Sequence, residues 1–106
     1  MFYNRKYHQI LTLIGVVMET QELETTPDDS WITTYSELNK HTVRKYIYRM
    51  QMNDILSYDG LTENGKHLLA YWDGIWGCPI DRPAVIERLK MAKALGAFDE
   101  AFALKP

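Results

Sequence analysis

One cysteine, Cys78, occurs in the 106 residues, so no internal disulfide is available and packing alone must hold the domain, as in a reduced cytoplasmic protein. Long apolar runs are also missing. The stretch from Leu13 to Met18 is interrupted by Gly15 and falls far short of the roughly 20 residues of a membrane span. The opening MFYNRKYHQI leads to no small-residue cleavage site, and a secretory signal is not expected. An excess of charge is lacking as well: 12 Lys and Arg stand against 14 Asp and Glu, a formal −2, which excludes a global positive field. Any binding to nucleic acid must come from a local patch.

Catalytic and metal-binding patterns are equally sparse. His8, His41 and His67 lie far apart, no two of them at the i, i+4 spacing of a metal pair, and Cys78 has no second cysteine. There is no phosphate-cradling glycine loop and no nucleophile elbow, so the sequence predicts a protein that is not an enzyme and takes no cofactor or metal. Cys78, beside Pro79, is expected as a small buried hydrophobe.

What is present suits one globular core, with 46% hydrophobic and 25% charged residues. Tyr7, Ile10, Leu11, Ile14, Val17 and Met18 recur at helical spacing, Asn4 is placed to cap them, and Arg5, Lys6 and His8 fall on the polar side. Leu13 and Val16 widen the apolar face, which predicts a buried central helix covered by the rest of the domain, or alternatively one shared with a second subunit. The acidic stretch ETQELETTPDDS predicts a solvated loop. Trp31 and Ile32 read as a short strand, and Thr34-Tyr35-Ser36-Glu37 has the spacing of a capping box, placing a short helix from Thr34 with Leu38 as its anchor. Thr42 is then the expected cap of a further helix in which Val43, Ile47 and Met50 point inward.

Asn53-Asp54 stops that helix, Ile55 to Tyr58 alternates into the turn pair Asp59-Gly60, and Thr62 caps a helix that reaches Gly74. Gly74 to Pro83 predicts a connector, with Trp72 and Trp76 plugging it onto the core. From Asp81, the residues Val85, Ile86, Leu89, Ala92 and Leu95 predict a final helix, with Arg88, Lys90 and Lys93 outside, followed by an amphipathic stretch holding Phe98 and Phe102. The fold class expected is mainly α with a minimal β-hairpin (α+β), in a single domain over 1–106 with a core at 5–73 and a C-terminal helical extension at 81–106 that serves dimerisation.

The order of elements, and three motifs within it, resemble a winged helix-turn-helix over about 32–72. Val43-Arg-Lys-Tyr-Ile-Tyr-Arg-Met50 is similar to the recognition helix of MarR- and PadR-type regulators, Asn53-Asp-Ile-Leu56 to the turn into the wing, and Leu61-Thr-Glu-Asn-Gly-Lys-His-Leu-Leu69 to the helix after it. The last is the most specific. The resemblance covers about 40 of the 106 residues and implies sequence-specific binding of duplex DNA by a homodimer that regulates transcription, with the 43–53 helix in the major groove.

The residues themselves supply a patch. Lys40, His41, Arg44, Lys45 and Arg49 lie within ten residues that hold no acid, and Arg or Lys on such a helix reaches guanine O6/N7 or phosphates. Thr34, Tyr35 and Thr42 are read as lying near helix N-termini, where amides and hydroxyls suit phosphate oxygens; Tyr48 shares the helix and Lys66 adds to the same side. The DNA-binding set expected is therefore Thr34, Tyr35, Lys40, His41, Thr42, Arg44, Lys45, Tyr48, Arg49 and Lys66. The competing expectation is a winged helix used for protein contact, an adaptor or small inhibitor that does not bind DNA and meets its partner through the C-terminal segment with Phe98 and Phe102.

Overall fold

The computed structural model describes residues 4–94; Leu95, Phe98, Phe102 and the rest of the expected C-terminal stretch lie outside them. Among the described residues the order is α1 (Arg5–Gln21), α2 (Asp29–Tyr35), α3 (Lys40–Met52), β1 (Leu56–Ser57), β2 (Gly60–Leu61), α4 (Glu63–Trp76) and α5 (Arg82–Ala94). Five helices and one two-stranded antiparallel sheet place the protein in the mainly helical class expected, with the minimal hairpin in its expected position.

Helix α1 is the axis on which everything else packs. Asn4 caps it as the sequence predicts, its side-chain oxygen accepting from the Lys6 amide at 2.9 Å. The apolar face proves to be nearly the whole circumference: Tyr7, Ile10, Leu11, Leu13, Ile14, Val16 and Val17 are all buried, and α2, α3, α4, α5 and β2 all contact the helix. Its own chain therefore covers α1, which corrects the alternative in which a second subunit would share it.

His8 corrects a second expectation, since it is fully buried and not on the polar side. Its Nε2 lies 2.6 Å from Asp73 Oδ1, and its ring lies beside the stacked pair Trp72 and Trp76. Helix α4 covers this side of α1, and a hydrogen bond to Asp73 takes the place of water for the buried ring.

The segment before α2 does more than stay wet. The Thr26 amide donates to the Tyr58 carbonyl at 2.8 Å and the Thr26 hydroxyl to the Ser57 carbonyl at 2.6 Å, so the buried Thr26 and Pro27 lie against the hairpin. Asp28 then caps α2 through the Ser30 amide. Trp31 and Ile32 are accordingly helical rather than a strand, and α2 ends where the capping box was expected to begin one. Thr34 closes its last turn, with its hydroxyl donating to the Ser30 carbonyl at 2.7 Å. Asn39, not Thr42, caps α3, accepting from the Thr42 amide at 2.8 Å.

In the hairpin, Leu56 pairs with Leu61 and Ser57 with Gly60. Asp54 enters it at φ 56 and Gly60 leaves the turn at φ 117, a conformation that favours glycine. Helix α4 starts at the expected cap, Thr62, whose hydroxyl oxygen accepts from the Gly65 amide at 3.0 Å. It runs on past Gly74 to Trp76, where Gly77 at φ 71 turns the chain out; stacking of Trp76 on Trp72 supports the extra turn. Cys78 follows in the turn and is exposed, its thiol donating to the Ile80 carbonyl at 3.2 Å, so the expectation of a buried thiol fails. Helix α5 buries Val85, Leu89 and Ala92.

Candidate nucleic-acid interface

Helix α3 divides its surface sharply. Val43 and Met50 are fully buried, with Ile47 and Tyr46 nearly so. This face is anchored twice more: the Tyr46 ring meets Tyr7 edge-on at 4.4 Å between centroids, and its hydroxyl accepts from Asn4 Nδ2 at 2.9 Å. Tyr46 is thus a packing residue. The opposite face exposes Lys40, His41, Arg44, Lys45, Tyr48 and Arg49. No acid occurs in α3, so its positive charges are neutralised only by what faces them from other elements.

That neutralisation is uneven. At the α2 flank, Arg44 Nε donates to Asp29 Oδ2 at 2.7 Å, and Lys40 lies close enough to Asp28 to favour its ionised form. Burial outweighs that attraction and holds the Asp28 carboxyl above its ordinary value. Lys45 rests its ammonium 5.6 Å from the Tyr46 ring, and among the described residues no carboxylate pairs with Lys45 or Arg49. Arg49, in the last turn, also complements the helix dipole. The centre of the exposed face is His41, Lys45, Tyr48 and Met52, one stripe at helical spacing, with Tyr48 62% and Met52 68% exposed.

The other expected site residues scatter. Thr42 is in the first turn of α3 and belongs to the patch. Thr34 and Tyr35 close α2 at its C-terminal end, where carbonyls rather than amides are unpaired, so the N-terminal role read for them is corrected. Tyr35 turns away from α3: its ring stacks on Trp31 and carries the Arg88 guanidinium of α5 at 4.8 Å, and burial pushes its hydroxyl pKa up. Lys66 is in the first turn of α4, beyond the hairpin, where it pairs with Glu63 at 3.4 Å. Asp29, at the border of the patch, and Met52, within its central stripe, were not singled out by the sequence; the signal for Asp29 was the run Pro27-Asp28-Asp29-Ser30, which starts a helix.

Among the described residues no three His, Cys, Asp or Glu side chains cluster as a metal site, and no helix is long and apolar enough to cross a membrane. No family model matches the chain, and neither does any curated protein or solved structure.

Proposed function

We propose that this protein is a cytoplasmic winged helix-turn-helix regulator of transcription that binds double-stranded DNA as a homodimer, with α3 in the major groove. The observation that carries the reading is the exposed face of α3, which shows Lys40, His41, Arg44, Lys45 and Arg49 on a helix without an acid, rigidly seated by its buried face. Helix α2 packs against α3 across the short turn at 36–39, and the hairpin follows α3 and is braced by Thr26. In this reading α2 is the supporting helix, α3 the recognition helix and the hairpin a small wing. Phosphate contacts then position the helix, and side chains on its outward stripe reach base edges.

The wing contributes little. Its tip is Tyr58 and Asp59, and an acid there repels phosphate, so binding rests on α3. Dimerisation involves α5 and the chain beyond it, because α1 is covered and Met91 on α5 is 61% exposed; a two-fold partner is what places two recognition helices one turn of DNA apart. Sedimentation equilibrium of the full chain at tens of micromolar is expected to show a dimer.

One observation favours a second reading, in which the same face docks a protein: Tyr48 and Met52 put large apolar side chains at its centre. Fluorescence anisotropy with random-sequence duplex over a salt series separates the two. The DNA reading predicts affinity falling as log salt rises with a slope of about −5 to −7 for the dimer, roughly 0.9 per phosphate neutralised by three or four cations of each α3. No binding even at low salt leaves the protein-docking reading.

A further inference from the structure

The contact between Arg44 and Asp29 is the one place where the exposed face of α3 is met by an acid at hydrogen-bonding distance among the described residues. The side chain of Asp29 is only 14% exposed while that of Arg44 is 60% exposed. The carboxylate is therefore fixed in the first turn of α2, and the guanidinium reaches out from it toward solvent. As a stabilising contact it is weak, since an ion pair with so exposed a partner adds little. As a DNA contact it looks counterproductive, because it sets a negative charge beside the surface that would meet phosphates.

The geometry of the bond resolves this. Asp29 accepts from Nε, and among the described residues Arg44 makes no other hydrogen bond. The Nε position is taken and the terminal Nη1 and Nη2 donors are left as a fork. Two parallel donors from a guanidinium match guanine O6 and N7 in the major groove. A free arginine side chain has many rotamers to lose on binding, and a second group that holds it beforehand reduces that loss. Ile47, Tyr48 and Gln51 line the same notch as Arg44 and Asp29, so the guanidinium stem is bounded by α3 on one side and by the carboxylate on the other.

We infer that Asp29 is a positioning residue that aims Arg44 at a guanine in the major groove, which makes guanine at one position of each half-site the base this protein discriminates most strongly. The inference rests on the DNA-binding reading of α3. It separates a base contact from a phosphate contact, since the fork suits either and only the former depends on the base.

The test is selection of duplexes from a randomised pool by the full chain, followed by replacement of each selected guanine with 7-deazaguanine, which lacks the N7 acceptor. One such replacement per half-site is expected to weaken wild-type binding about ten-fold, within the range of a bidentate pair. The same replacement should cost less than about three-fold in Asp29→Asn and in Arg44→Lys, whose charge remains but whose fork is gone. Both variants should keep the salt slope to within about one unit and an unchanged far-ultraviolet circular dichroism spectrum. Asp29→Asn binding every duplex more tightly with guanine discrimination intact would show Asp29 to be electrostatic only and overturn the inference, as would selection of sites without guanine. Wild type that binds no duplex at all removes the DNA reading itself and this inference with it.

Discussion

Replacing Gly65 with alanine is the sharpest test of how the hairpin is locked to α4. Gly65 is buried in the first turn of α4, and a Cβ built on it would overlap the Ile55 carbonyl oxygen and lie 3.0 Å from the Ile55 carbonyl carbon. The obstacle is backbone, which cannot swing aside as a side chain does. Ile55 is pinned on both sides: its amide donates to the Met50 carbonyl at 2.9 Å, and its carbonyl accepts from the Thr62 amide at 3.1 Å. The Thr62 hydroxyl also donates to the neighbouring Asp54 carbonyl. Relieving the overlap breaks at least one of these bonds, at roughly 1 kcal/mol each, and loosens the packing of the fully buried Ile55, for which overpacking costs of about 1–3 kcal/mol are typical. Alanine regains up to about 1 kcal/mol of helix propensity over glycine, so Gly65→Ala should lose about 1–3 kcal/mol net. For a domain of this size that lowers Tm by roughly 5–20 °C. Gly74, exposed in the same helix with nothing within 4 Å of its Cβ position, is the internal control, and Gly74→Ala should gain about 0.5–1 kcal/mol. Urea unfolding followed by circular dichroism measures both, and a Gly65→Ala protein as stable as wild type would refute the reasoning.

Two further perturbations probe other links. Asp28→Asn keeps the cap on α2, since asparagine caps as well as aspartate, but removes a carboxyl whose pKa burial raises in the fold. The folded state then binds that proton more readily than the unfolded state, so wild type gains stability relative to the variant as pH falls through the folded pKa toward 3.8. Thermal melts should show the variant at least as stable at neutral pH, with the gap closing in acid; Asp28→Ala, without a cap, should lose about 1 kcal/mol at neutral pH. Trp72→Ala should cost about 3–5 kcal/mol, because Trp72 is buried against His8 and Trp76, whereas Tyr71→Ala, one residue away but 59% exposed, should stay within about 0.5 kcal/mol in the same denaturant series.

Legibility in the sequence followed how local each cause was. Asn4, Thr62 and Asn53 are stop and start signals that act within a turn, and each sits where its chemistry predicts. The apolar spacing of Val43, Ile47 and Met50 likewise identified the buried side of α3, and with it the exposed cationic side. At the start of α2 two local signals competed. Thr34 to Glu37 has the spacing of a cap, but Pro27-Asp28 comes first and is pinned to the hairpin through Thr26, a contact between residues about 30 apart in sequence that no local pattern announces. His8 was misplaced for the same reason: its burial depends on Asp73 and the two tryptophans of α4. The patch was therefore legible as a set of residues on α3, while its flank, where Asp29 holds Arg44, became visible only when α2 was placed beside it.

The central claim is that the exposed face of α3 meets DNA phosphate, and comparing the salt dependence of duplex binding by wild type and by a Lys45→Ala/Arg49→Ala variant tests it most directly. Both side chains are exposed, so the variant should fold with wild-type stability. If each contacts one phosphate, the slope of log affinity against log salt should become shallower by about 1.8 per subunit, or about 3.6 for the bound dimer, with weaker binding to every sequence. A variant that binds duplex with the wild-type affinity and slope would contradict the claim and place any DNA contact on another face.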